Sequence, residues 1–275
     1  EFPQQERAKK LLADISGSMN SSVIREHYTN ALDSIKKGDY EKAVRALKAI
    51  LQLDPMHPQA KRMIVNARRL KLKSTYEMAD KFLIEGQYLK ARQAYEKALK
   101  NNPSDSATAT TLVRLEEITR LADSLDGEGR EARLMRTSLY NYASAEGNIK
   151  VSVAAAWYAN QLAPENPMTQ TIRNFIEEKN HQVLRLLDPP SGEMDVVEQK
   201  LFAALNHIYE GRYDLAVEES GLVLELSPGN TMALKRMGSA YYLMGENDRA
   251  GEVWRRALKL TPNDDELKGF LDILK

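Results

Sequence analysis

Five times in this chain a glycine is followed, seventeen residues later, by a proline. The segments run Gly38–Pro55, Gly86–Pro103, Gly147–Pro164, Gly211–Pro228 and Gly245–Pro262. Both residues punctuate helices. Glycine ends a helix in the left-handed conformation at little steric cost. Proline cannot continue a helix and pushes its predecessor out of helical geometry. Between the two, small and apolar residues recur at helical spacing: Ala43, Leu47, Ile50 and Leu51 in the first segment, Ala250, Trp254, Ala257 and Leu258 in the fifth. A small residue lets antiparallel helices approach, and a bulky neighbour fills the space beside it. A chain punctuated this way is confined to stacked helical hairpins, and no strand pattern competes.

Upstream of four of the glycines, seven residues away, stands another small residue: Ala31, Ala79, Ala204 and Gly238. Five residues downstream of the same glycines comes Ala43, Ala91, Ala216 or Ala250. On these positions the chain resembles the tetratricopeptide-repeat family, whose unit of about 34 residues is a helix–turn–helix with small residues at its eighth and twentieth places. The third unit departs from that pattern with Tyr140 and Ser152, which predicts altered helix packing there. The resemblance implies an all-α, right-handed solenoid of five units. With the extra helices described next, the count comes to roughly thirteen.

Successive repeat prolines are 48, 61, 64 and 34 residues apart, so only the last two units form a tight tandem. The excess is read as added helix. Residues 58–85 contain no Gly or Pro after Pro58 and before the repeat glycine, which predicts one helix of about 42 Å. Further helices are expected over Ser104–Leu125, Met168–Leu187 and, as an end cap, Asp264–Leu274. The expected organisation is an N-terminal helix and flexible linker over 1–22, three units over 23–187, a linker over 188–196 around Pro189-Pro190, and a tandem pair with its cap over 197–275. Glu1-Phe2 fits either a processing site or a cloning scar.

Little in the sequence carries chemistry. There is no cysteine, which removes disulfides, thiolate nucleophiles and cysteine zinc sites. His27, His57, His181 and His207 show no metal-helix spacing. Carboxylate pairs such as Glu116-Glu117, Glu177-Glu178 and Glu218-Glu219 diverge by about 100° on a helix and read as solvated faces. No phosphate-cradling glycine loop or nucleophile elbow appears. The expectation is a noncatalytic protein with no catalytic residue, no cofactor and no metal.

The charge is balanced overall, 39 basic against 39 acidic residues, yet residues 1–120 hold 22 basic and 15 acidic ones. The second half is correspondingly acidic. The basic excess concentrates near Arg62, Arg69 and Lys73, which share a helix face with Asn66. That stripe reads as a solvated face or as a docking strip for an acidic partner or an anionic lipid surface. Nucleic acid is disfavoured, because aromatics that stack on bases are missing among these cations. No apolar run reaches the ~18–20 residues of a membrane span, which leaves open a membrane-peripheral role.

The family resemblance also implies a concave groove lined by the first helix of each unit. Carried over position by position, the groove residues are Tyr28, Leu32 and Ile35; Tyr76, Asp80 and Leu83; Leu201, Leu205 and Tyr209; and Lys235, Ser239 and Tyr242. Repeat proteins that clamp the tails of heat-shock chaperones have Asn after the small eighth residue. Here Leu32, Asp80, Leu205 and Ser239 stand there, which argues against that binding. Trp157 and Trp254 are expected in the core. The reading is an interaction scaffold or adaptor holding protein partners in a larger assembly, by analogy one of the bacterial envelope (secretion, pilus or motility) and hence periplasmic, with a cytoplasmic setting as the alternative. A client-carrying chaperone or pilotin-like role, and self-association through the opposite charges of the two halves, are the competing functions.

Overall fold

The computed structural model describes residues 3–185, 187–190 and 192–274, with side chains from residue 20 onward. Among the described residues all regular structure is helical, in fourteen helices. They are α1 (Pro3–Lys36), α2 (Tyr40–Leu53), α3 (Pro58–Ile84), α4 (Tyr88–Asn101), α5 (Ser106–Leu121), α6 (Arg130–Ala143) and α7 (Ile149–Leu162). The rest are α8 (Pro167–Lys179), α9 (His181–Leu184), α10 (Val196–Tyr209), α11 (Tyr213–Leu226), α12 (Thr231–Leu243), α13 (Asn247–Leu260) and α14 (Asp265–Ile273).

The punctuation works as the sequence dictates in four of the five segments. Gly38, Gly86, Gly211 and Gly245 have φ of 76°, 75°, 74° and 80°. At each, the glycine N–H donates three residues back and the next N–H donates five back, as in Gly38 to Ile35 (3.0 Å) and Asp39 to Ser34 (2.9 Å). These bonds satisfy the carbonyls that a helix end leaves open. At the other end, the residues before proline have left helical geometry: Asp54 (φ −136°), Ala163 (−141°), Ser227 (−147°) and Thr261 (−132°).

The chain divides into two compact units, one of Glu1–Lys81 with Gln93–Asp105 and one of Phe82–Arg92 with Ser106–Lys275. In the first, Ala31 of α1, Leu47 and Ile50 of α2, and Ala60 and Ile64 of α3 form a buried cluster, so the N-terminal half of the long α3 is held by the hairpin before it. His57 caps α3 through Nδ1, which accepts from the Ala60 N–H at 3.2 Å. The stretch 1–22, expected to hold a helix and then a flexible linker, is helical throughout from residue 3 onward and belongs to α1. With no proline over 16–22, the one glycine costs a helix only about 1 kcal/mol.

In the second unit α7 is the central rod. Every residue from Val151 to Ala159 is buried, as befits a helix apolar on all sides, and it packs on α6, α8, α10 and α11. The third hairpin departs from the others as expected. Gly147 has no left-handed φ. What requires glycine there is space, since a Cβ would overlap the Asn141 backbone. Tyr140 stays half-exposed, and close approach falls to two other small residues. Ser138 Oγ donates to the Ser152 carbonyl (2.8 Å) and Ser152 Oγ to the Ser138 carbonyl (2.9 Å), both side chains fully buried.

Three further expectations are corrected. α5 begins at Ser106 rather than Ser104 and ends at Leu121 rather than Leu125. The Leu125 N–H donates to the Gly86 carbonyl (2.9 Å), while the Asp123 carbonyl accepts from Leu89 N–H (3.0 Å), which unwinds the segment. The helix expected over 168–187 breaks at Asn180, whose φ is −128° and whose side chain donates to the Ile176 carbonyl at 2.7 Å. That break divides the expected helix into α8 and α9, while the expected N-terminal helix merges with the first repeat helix in α1, so fourteen helices stand against the roughly thirteen expected. The stretch 188–196 is sewn to the second unit instead of parting it: Gln161 accepts from the Val196 N–H (3.0 Å), and Gln199 donates to the Pro189 carbonyl (3.3 Å).

Candidate partner-binding surface

α10 and α12, the first helices of the last two hairpins, lie side by side. Both start from firm caps. Asp195 Oδ1 accepts from the Glu198 N–H (2.8 Å) while the Glu198 carboxylate accepts from the Asp195 N–H (3.0 Å). Asn230 caps α12 by accepting from the Ala233 N–H at 2.9 Å. Capping fixes the rotation of each helix and therefore which side chains face outward.

On α10 the stripe Phe202, Leu205 and Tyr209, spaced three and then four residues, presents two exposed rings: Phe202 at 53% and Tyr209 at 79% of full exposure. Leu201 beside it is half-buried. On α12, Met232, Ser239, Tyr242 and Leu243 continue the surface, with Met232, Tyr242 and Leu243 exposed and Ser239 half-buried. Tyr242 leans on Trp254 (ring centroids 5.9 Å apart), and Trp254 stacks on Phe270 at 4.9 Å. Trp254 is buried, as expected, and Trp157 is buried with its Nε1–H donating to Glu177 at 2.7 Å.

Polar groups sit among these apolar ones. Lys235 is engaged within the protein, its Nζ donating to Asp264 (2.7 Å) and Glu266 (2.6 Å). Those two carboxylates, Asp264 first, hold its pKa above the ordinary lysine value. Arg236 is half-buried, its Nη1 out of solvent and without an acceptor among the described residues. Burial lowers its pKa, with Tyr209 close enough to oppose the shift.

In the first unit the expected groove residues are largely used up. Tyr76 donates to Asp105 at 2.5 Å, and Asp80 accepts from the Tyr95 hydroxyl. Leu83, which belongs to the second unit, is fully buried in the core, which corrects its assignment to a partner surface. Tyr28 and Ile35 are half-buried, Tyr28 against the first unit's core cluster, and Leu32 is exposed. The basic stripe is exposed: Arg69 Nη2 donates to Asn66 at 3.2 Å and Lys73 pairs with Glu77 at 3.6 Å. Arg62 lines a different hollow from Arg69, so the structure does not bring the three together around one cavity. Sequence reasoning missed Phe202, Met232 and Arg236. Met232 occupies the second place of the same unit that gave Lys235 and Ser239, so the repeat spacing held the signal.

A cavity of about 960 Å³ in the second unit is lined by charges of both signs, among them Glu85, Asp126, Arg133 and Arg136. Among the described residues no three His, Asp or Glu side chains are grouped to hold a metal. No helix there is long and apolar enough to cross a membrane.

A family model described as a tetratricopeptide repeat matches residues 76–105. The chain is similar to Protein CTR9 homolog of Arabidopsis thaliana, 23% identical over 253 residues, covering 83% of this chain and 22% of that protein. It is similar as well to DnaJ protein P58IPK homolog A of Oryza sativa subsp. japonica, 20% identical over 241 residues, covering 88% of this chain and 38% of the relative. The chain thus spans well under half the length of these curated relatives. Among solved structures, the TPR domain of P58(IPK) aligns at 14% identity over 91% of this chain and 97% of that one, with a TM-score of 0.29. MamA aligns at 13% identity over 90% and 96%, with a TM-score of 0.22.

Proposed function

Since this chain is a tetratricopeptide-repeat protein, we propose that it serves as a noncatalytic scaffold whose α10–α12 surface seats a segment of a protein partner. One observation carries this reading: Phe202, Tyr209, Met232, Tyr242 and Leu243 stand exposed on two adjacent, firmly capped helices. Exposed rings and methionine on a rigid support are what binding hot spots are made of.

The test is capture from the native source with the intact chain, compared with Phe202→Ser/Tyr209→Ser. Both side chains are exposed, so helical content by circular dichroism should not change. The partner's affinity should fall at least tenfold, a loss of about 1.4 kcal/mol or more. Undiminished capture would remove the surface from the account.

Similarity to proteins named for DnaJ supports a second reading, a client carrier that binds an unfolded segment at the same surface and releases it. Stoichiometric, lasting complexes favour the scaffold; rapid exchange with many unfolded clients favours the carrier. A bacterial envelope setting and salt-sensitive self-association are proposed on composition and charge alone. Fractionation of the source and sedimentation at two salt concentrations test them.

A further inference from the structure

The extra residues between the first and second repeat prolines do more than lengthen α3. Beside the lengthened part, a cavity of about 500 Å³ is lined by Glu41, Val44 and Arg45 of α2, Arg68, Arg69, Lys71, Leu72 and Thr75 of α3, and Asn101 of α4. Such a volume lies within the ~300–1,000 Å³ common for ligand sites.

Its charge is one-sided. The single acid, Glu41, is taken by Lys71 at 2.6 Å. The remaining cations outnumber that acid: Arg69 bonds only the neutral Asn66 side chain, Arg45 acts on Glu41 without a hydrogen bond or salt bridge, and Arg68 makes neither among the described residues. Lys71 holds the Glu41 carboxyl below the ordinary carboxylate range, and Lys97 and Arg45 add to the pull, so the cavity lies in a positive field. Val44 and Leu72, both half-buried, supply an apolar wall between the cations.

From this arrangement we propose that the α2–α3–α4 cavity is a second binding site, separate from the α10–α12 surface, for an acidic peptide segment with an aliphatic side chain among its carboxylates. Guanidinium groups match carboxylates in paired hydrogen bonds, and Val44 and Leu72 receive the aliphatic group; Thr75 Oγ1 and Asn101, whose side chains already donate to the Lys71 and Lys97 carbonyls, keep acceptor oxygens for peptide N–H groups. Nucleic acid fits poorly because no aromatic ring lines the cavity for stacking. A lipid surface is served by a protruding cationic face rather than by a recess with an apolar wall.

The experiment uses the full chain and a fluorescein-labelled pentapeptide, Asp-Glu-Leu-Glu-Glu, read by anisotropy at about 50 mM salt, where the Debye length is still long enough for these charges to act. The expected result is saturable binding that Arg45→Ser/Arg68→Ser weakens at least tenfold. Replacing the peptide leucine by serine should weaken it about threefold or more. Arg62→Ser/Lys73→Ser removes as much charge outside the cavity and should change affinity by less than about threefold. Absence of binding by the unaltered chain overturns the proposal, as does equal loss in the two double variants. So does binding to phosphatidylserine vesicles, sensitive to Arg45 and Arg68, in a chain that ignores the peptide.

Discussion

Gly238 sits in the middle of α12, where helix propensity alone says that alanine should be better by about 1 kcal/mol. The tertiary structure reverses the sign. A Cβ at this position would overlap Nε1 and Cδ1 of Trp254 and lie 2.9 Å from Cε2. Trp254 cannot easily yield: it is 2% exposed, stacked on Phe270, and its Nε1–H donates to the Lys235 carbonyl at 3.3 Å. Overpacking of this kind costs about 1–3 kcal/mol, and displacing the indole hydrogen bond costs about another 1. After the propensity gain, Gly238→Ala should destabilise by about 1–3 kcal/mol, a fall of roughly 3–10 °C in the thermal midpoint for a chain of this size. Gly269→Ala on α14 is the control, because its added methyl meets nothing within 4 Å. It should stabilise by up to about 1 kcal/mol. Thermal and urea unfolding of the two variants decide the matter. If Gly238→Ala gains stability as Gly269→Ala does, the close approach of α12 and α13 is wrong. In a Trp254→Phe background the penalty at 238 should largely vanish, since the two sites are in contact and do not add.

Lys235 and Asp264 give a pH-dependent contribution. Asp264 is held below its ordinary pKa, first by Lys235 and then by the Leu267 N–H that it caps. Its stabilising share is therefore complete above the unfolded carboxyl value of about 3.9 and is lost as pH falls through the lower folded value. Lys235, raised by the same pair, contributes fully below its unfolded pKa of about 10.4 and loses its share as pH rises through the folded value. Asp264→Asn keeps a good helix cap and should flatten the acid limb of stability against pH; an unaltered acid limb would refute the pairing. In the third hairpin, Ser138→Ala should cost about 1 kcal/mol and Ser138→Val about 2–4, because the larger side chain also overfills the helix crossing. Equal urea midpoints for the two variants would contradict the tight contact at Ser152.

Much of this fold was legible because its instructions are local. A glycine needing positive φ and a proline excluding helix act within a few residues, so the hairpins at Gly38, Gly86, Gly211 and Gly245 and the continuity of α3 could be read directly. The candidate surface was legible in part for the same reason. Leu205, Tyr209 and Tyr242 follow from repeat spacing, whereas the burial of Leu83 and the capture of Lys235 by Asp264 and Glu266 depend on residues outside the local segment.

By itself, then, the sequence determined that the chain is a series of helical hairpins, where most of them turn, and that its cations gather in the first half. Only the tertiary structure decided that Ser138 and Ser152 close the third hairpin, that Gly147 is needed for space, that residues 122–125 bond to the Gly86 turn, and that Arg45 joins Arg68 and Arg69 around one cavity. Backbone preferences are set by neighbours in sequence. Burial, volume and the pairing of charges are set by neighbours in space, and the inserted lengths of helix choose those.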